Sequence, residues 1–106
     1  MANVLINVPK TAKKGEIVEI KALILHPMET GYRPGTSGRL IPRNIVEHFT
    51  ATWNGAEIFR MAMSPAVAAN PFVSFFAVAN EGGTIGFRWS GDEGFFVEES
   101  VAITVA

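Results

Sequence analysis

The side chains that could do chemistry gather around one long loop. One of the chain's two histidines, His26, opens the segment HPMETGYRPGTSGRLIPRN (residues 26–44). Histidine and methionine are soft donors, so Met28, Met61 and Met63 could join His26 in a copper(I) site on a small β domain. Met61 and Met63 also alternate with a predicted core face, where methionine is ordinary filling. The copper(I) hypothesis is thus an alternative that requires both of these methionines to face solvent.

Three arginines are the other chemical feature of this segment. Guanidinium groups bind oxyanions bidentately, so Arg33, Arg39 and Arg43 either meet an anionic ligand or acidic partner, or simply solvate a long loop. Glu29 lies three residues from a histidine, but the sequence shows no nucleophile arranged beside it, no paired carboxylates, no Walker loop and no dinucleotide fingerprint. We therefore expect neither a catalytic residue nor a cofactor.

Length and composition bound the remaining possibilities. The chain has 106 residues, 48% of them hydrophobic and 18% charged, which predicts a single folded domain over residues 1–106. A net charge of −1 gives no electrostatic case for nucleic acid, and no apolar run reaches the roughly 20 residues of a membrane helix. The amino-terminal sequence MANV leads into a strand without the features of a signal peptide, which by itself predicts a cytoplasmic protein. The absence of cysteine excludes disulfides and zinc–thiolate sites.

The elements that must position these side chains are β-strands. Apolar residues alternate with period two in every convincing segment, and no segment keeps a helical stripe. The dipeptide Asn54-Gly55 between two such segments is a strong hairpin signal, because both turn positions favour positive φ. About seven short strands at regular spacing predict an all-β, immunoglobulin-like antiparallel sandwich, of fibronectin type III-like kind because the cysteine pair of antibody domains is missing.

One strand breaks the rule that a strand of a free sandwich is apolar on one face only. Segment 72–79 is apolar on both faces, and so is the end of segment 17–25. Either a loop of the same chain covers the outer face, or a permanent partner does, since monomers rarely expose large apolar patches. Under the second alternative, the predicted partner-contact residues are Leu23, Leu25, Phe72, Val73, Phe75 and Phe76.

Several short motifs taken together resemble one family. They are VPK (8–10) with KKGE (13–16), HPMETG (26–31), IPR (41–43), NG (54–55), and ANPF (69–72) with FF (75–76). HPMETG followed by IPR and ANPF in that order is a specific combination, and the resemblance runs essentially from end to end. In these motifs the chain resembles the SoxZ family.

The resemblance implies an immunoglobulin-like subunit of a sulfur carrier. In this family the subunit forms a heterodimer with SoxY, whose flexible carboxy-terminal arm carries sulfur intermediates on a cysteine during thiosulfate oxidation. It also implies a periplasmic location, with export of the folded pair through the twin-arginine route, and this replaces the cytoplasmic expectation. The family contributes no catalytic residue, so function is expected to lie in surfaces.

Two further expectations follow from the resemblance and from the unusual loop. The loop would dock the other Sox enzymes or shield the sulfur adduct, and its predicted docking residues are His26, Met28, Glu29, Arg33, Arg39 and Arg43. Without its partner, the exposed patch would favour a homodimer. An iron sandwich of the superoxide-reductase type has a similar size, but it needs several histidines and a cysteine thiolate, which this sequence lacks.

Overall fold

In the computed structural model, the described part of the chain, residues 4–106, contains eight β-strands and one short 3-10 helix at Asp92–Gly94. The strands are β1 (Val4–Asn7), β2 (Thr11–Ala12), β3 (Glu16–Ile24), β4 (Val46–Trp53), β5 (Ala56–Ala62), β6 (Phe72–Ala79), β7 (Gly83–Gly91) and β8 (Phe96–Val105). No helix in this part of the chain is long and apolar enough to cross a membrane.

The strands form two sheets. β1, β3 and β6 lie in that order in a three-stranded sheet, and β2, β8, β7, β4 and β5 lie in that order in a five-stranded sheet. Neighbouring strands are antiparallel, except that the two-residue β2 runs parallel to β8. The predicted fold class, an all-β sandwich of about seven antiparallel strands, is confirmed, with β2 as an addition.

The core lies between the two sheets. Successive side chains of a strand point to opposite faces, so every second residue of a strand contributes to the core. Ile20 and Ile24 of β3 are fully buried on one side, and Phe49 of β4 and Trp89 of β7 are fully buried on the other. The ring centroids of Phe49 and Trp89 lie 5.1 Å apart. The buried aromatic residues therefore join neighbouring strands, and the core needs neither a disulfide nor a metal to be substantial.

Two predicted partner-contact residues, Val73 and Phe75, belong to this core, which corrects that part of the prediction. In the pairing of β6 with β3, Val73 lies opposite Ala22 and Phe75 lies opposite Ile20. Val73 and Phe75 are only 5% and 6% exposed, and the Phe75 ring stacks on Phe59 with 4.5 Å between centroids. The sequence shows that β6 is apolar on both faces, but it does not show which face meets the second sheet.

The long loop is an ordered hairpin-like arm, which we define as residues 29–44. The backbones of Glu29 and Asn44 exchange two N–H···O bonds of 2.8 Å. Further along, Ile41 N–H donates to Arg33 O at 2.8 Å and Gly35 N–H donates to Arg39 O at 2.7 Å. The molecule measures 58 × 21 × 19 Å. Residues 32–34 and 36–40 are exposed, as expected of an arm that projects from the sandwich, and this agrees with the elongated shape.

Candidate docking surfaces

The side of the three-stranded sheet that faces away from the core is largely apolar and open to solvent. Its apolar side chains, which we call the outer face, are Leu5, Ile17, Leu23, Leu25, Phe72, Phe76 and Val78; all are exposed except Leu23, which is half-buried. Strand register places Leu5, Leu23 and Phe72 in one row across the sheet. The outer face thus draws apolar residues from all three strands and aligns three of them in a row, and that makes it a candidate contact surface.

Polar residues cross the middle of the outer face, and two of them are hydrogen-bonded to each other. Ser74 Oγ donates to Glu19 Oε2 at 2.8 Å, and Lys21 Nζ lies 3.8 Å from Glu19 Oε1. Covering a polar group is costly mainly when it loses its hydrogen-bond partner. The Lys21 ammonium has only a 3.8 Å contact with Glu19, so a second protein that covers this band must leave Lys21 solvated or supply it with a partner.

The base of the arm is fixed by His26 and Met28. His26 is 4% exposed, its Nδ1 accepts a hydrogen bond from Met28 N–H at 2.9 Å, and its ring meets Phe95 edge-on with 4.8 Å between centroids. Met28 has a φ of 52°, and its sulfur accepts a hydrogen bond from Val46 N–H at 3.3 Å. A non-glycine residue at positive φ is stable only where surrounding contacts fix it. Here the hydrogen bonds of Met28 with His26 and with Val46 do so.

The pKa of His26 is lowered, chiefly because burial disfavours the charged ring, while the Asn44 side chain and the Asp92 carboxylate act in the opposite direction. The neutral ring can accept a hydrogen bond at Nδ1, whereas the protonated ring cannot. The hydrogen bond that shapes the start of the arm therefore depends on His26 remaining uncharged.

Ion pairs within the chain hold two of the three arginines of the arm. Arg43 binds Asp92 through Nε and Nη2, both at 2.8 Å, and Arg33 Nη2 lies 2.6 Å from Glu29 Oε1. These contacts lower the pKa values of the Asp92 and Glu29 carboxyl groups. Among the described residues, Arg39 makes no ion pair. Of the three arginines, Arg39 is thus the one whose charge is not already offset at close range.

The donors of the copper(I) hypothesis do not meet its requirement. Met63 is buried and Met61 is half-buried against the core, so neither thioether is turned fully to solvent. The Nδ1 atom of His26 and the sulfur of Met28 already accept backbone N–H groups. Within residues 4–106, no three His, Asp or Glu side chains lie close enough together to hold a metal ion. The observed role of these four residues is to pack and to order the chain.

Sequence patterns pointed to part of these surfaces and missed the rest. The structure leaves Leu25, Phe72 and Phe76 exposed, as a contact surface requires, but it adds further residues to that surface. The apolar residues that the predictions omitted are Leu5, Ile17 and Val78 on the outer face, and Tyr32 and Leu40 on the arm. For Leu5 the signal was available, since β1 reads VLIN and has at least one apolar residue on each of its faces.

Fold and surfaces together define the class of this molecule: a small β-sandwich protein whose prominent features, an exposed apolar sheet face and a projecting arm, suit contact with other proteins. The chain belongs to the SoxZ family, because the family model for Sulphur oxidation protein SoxZ matches residues 6–102. The resemblance drawn from HPMETG, IPR and ANPF is confirmed, and it supports a role in the Sox pathway.

Solved structures share the fold at low sequence identity. A superoxide reductase (neelaredoxin) from Ignicoccus hospitalis is similar with a TM-score of 0.75 and 16% identity, over 99% of this chain and 82% of that one. The sulfur carrier protein SoxY from Chlorobium limicola f thiosulfatophilum is similar with a TM-score of 0.68 and 12% identity, over 97% of this chain and 78% of that one. No curated protein matches the sequence. These structural likenesses establish the sandwich fold and nothing further about chemistry.

Proposed function

We propose that this chain is the non-catalytic subunit of a sulfur carrier, and that it pairs with a SoxY-type subunit through the outer face. Family membership over residues 6–102 supplies the pathway, and the exposed apolar outer face is the observation that carries the pairing. The chain contains no cysteine, so the thiol that carries sulfur must come from another chain. The work of this subunit is then to hold and present the partner.

The outer face has the composition of an interface core. Phe72 and Phe76 are 58% and 69% exposed, and buried aromatic residues often dominate binding energy at interfaces. Glu19 lies opposite Phe76 in the strand register and already accepts a hydrogen bond from Ser74. A stable interface removes about 800 Å² from each partner, so residues around Phe72 and Phe76 must contribute to it as well.

The arm has a separate role in this proposal, which is to contact the enzymes that act on the loaded carrier. It projects from the sandwich, exposes Tyr32 and Leu40, and keeps Arg39 available for an anionic group. Its base begins at His26, directly after Leu25 of the outer face, so a subunit bound there would lie beside the arm. We also propose a periplasmic location, reached together with the SoxY-type subunit; the support is the family alone.

The double variant Phe72→Asp/Phe76→Asp tests the pairing. Both side chains are exposed, so the fold should survive, while two carboxylates at the contact should weaken binding about 100-fold or more. Phe96→Asp is the matched control, because Phe96 is a similarly exposed phenylalanine on the other sheet. Affinity for the purified SoxY-type subunit is measured by calorimetry, with circular dichroism and thermal unfolding to confirm folding. A double variant that binds as tightly as the wild type would refute the pairing surface.

A further inference from the structure

The open edge of β6 presents backbone groups that no described residue binds. β6 is the last strand of its sheet, with β3 on its other side. Pro71 O and Ala79 O accept hydrogen bonds from Ile24 N–H and Gly15 N–H, at 3.2 and 2.7 Å, so odd-numbered residues point toward β3. Since backbone groups of alternate residues point to opposite sides of a strand, the groups of residues 72, 74, 76 and 78 point to the open edge.

This edge lacks the features that normally protect an edge strand. Natural edges carry charges, prolines, bulges or covering segments. β6 reads FVSFFAVA, contains no charged residue or proline, and pairs with β3 through eight consecutive residues without a shift in register. β5, the edge strand of the other sheet on the same flank, carries an ion pair between Arg60 and Glu57. One of these edges is thus protected by charge, and the other is bare.

The residues of the open edge also carry the apolar side chains of the outer face. Phe72, Phe76 and Val78 are exposed there, so the groups that could bond a new strand and the groups that could pack against it belong to the same residues. A cleft of about 400 Å³ lies beside them, lined by Trp53 and Ile58 on the side of the other sheet. An incoming strand would therefore find both hydrogen-bonding partners and space for side chains.

We propose that the SoxY-type subunit adds its own edge strand to β6, in antiparallel orientation, so that one sheet runs through both subunits. The inference rests on the proposed function and names the mode of pairing. The SoxY from Chlorobium limicola f thiosulfatophilum shares the sandwich fold over 97% of this chain, so we expect a partner of this kind to have a comparable edge strand. Two equivalent edges can pair about a pseudo-twofold axis, which would join the two three-stranded sheets into one and place the exposed β6 side chains of Phe72, Phe76 and Val78 against those of the partner's strand.

Substitutions at Ser74 separate edge pairing from simple face-to-face packing. Ser74→Pro removes an N–H that points away from β3 and places the ring in the path of an added strand, so the fold is retained while pairing is blocked. Ser74→Ala is the control, since it loses only the bond to Glu19 and keeps the N–H. We expect Ser74→Pro to weaken binding of the purified SoxY-type subunit at least tenfold, and Ser74→Ala to stay within about twofold of the wild type.

Amide hydrogen exchange on the unaltered chain gives a second test that does not depend on a variant folding. Complex formation should slow exchange at Phe72, Ser74, Phe76 and Val78, whose N–H groups are open in the free chain. Wild-type affinity for Ser74→Pro, or unchanged exchange at these four amides, overturns edge addition. If edge addition is overturned but Phe72→Asp/Phe76→Asp abolishes binding, pairing through the outer face stands and only edge addition fails. If binding also survives in Phe72→Asp/Phe76→Asp, both proposals fail. Protection of the same amides in the chain alone, with no change on adding the SoxY-type subunit, would identify a second copy as the occupant and overturn the proposal.

Discussion

Replacement of His26 should show how much of the arm's order depends on one buried ring. In His26→Ala, the Met28 N–H loses its acceptor and the contact with Phe95 disappears. In His26→Asn, the amide oxygen can take the position of Nδ1, so the acceptor is kept and only the ring is lost. The two variants therefore separate a hydrogen bond from an aromatic contact at the same position.

The structure sets the expected size of each effect. A buried N–H left without an acceptor costs about 1–3 kcal/mol, and an aromatic pair contributes about 0.5–1.5 kcal/mol beyond the area that it buries. His26→Ala should therefore lower the free energy of unfolding by on the order of 3 kcal/mol, and His26→Asn by about 1 kcal/mol. For a domain of this size, each kcal/mol corresponds to a fall in Tm of roughly 4–8 °C.

Equilibrium unfolding in urea measures both variants, with the slope m used to verify that the unfolding transition remains comparable. Amide exchange across residues 29–44 shows whether the arm loses order before the sandwich does. Equal destabilisation by the two variants would refute the role assigned to Nδ1. Loss of stability with unchanged exchange in the arm would place the effect of His26 in the core and not in the arm.

Two further predictions concern the pH dependence and the charge of the arm. Burial lowers the pKa of His26 below the 6.5 of a free histidine, so below about pH 6.5 the unfolded chain binds more protons. The stability contributed by neutral His26 is complete above that pH and falls as the pH drops toward the folded-state pKa. Urea unfolding at pH 7.5 and 5.5 should therefore show a smaller decrease in the free energy of unfolding for His26→Asn than for the wild type. Arg39→Glu should leave affinity for the SoxY-type subunit unchanged and slow turnover of the loaded carrier in a reconstituted thiosulfate-oxidising system, whereas unchanged turnover would mean that Arg39 only solvates the arm.

Local signals predicted the fold well because each strand and turn is encoded in adjacent residues. The Asn54-Gly55 turn is one example, since both residues adopt positive φ, at 51° and 86°, as the dipeptide predicts. The alternation of apolar residues along β7 likewise agrees with its burial, since Phe87 and Trp89 both face the core. These predictions need only the period of the strand and the chemistry of a two-residue turn.

Properties that depend on distant residues could not be predicted in the same way. The partner of Arg43 is Asp92, 49 positions away, so the arginines of the loop looked equivalent when in fact two are paired and structural. The order of the arm depends on pairing between Glu29 and Asn44 across a loop that contains several glycines and prolines. For β6 the ambiguity was intrinsic, because a strand apolar on both faces gives no preference for the face that turns inward.

The alternation of side chains at the end of β3 links the two proposed surfaces. Ile24 and His26 are buried, while Leu25 between them is exposed beside the outer face. A subunit that covers Leu25 would therefore bind one residue away from the buried ring that fixes the start of the arm. Because the arm is bonded along its length and held at its base by His26 and Arg43, its direction would be fixed relative to that subunit. In this proposal, a chain without a thiol contributes to sulfur chemistry by fixing the position at which an incoming enzyme binds relative to the cysteine of its partner.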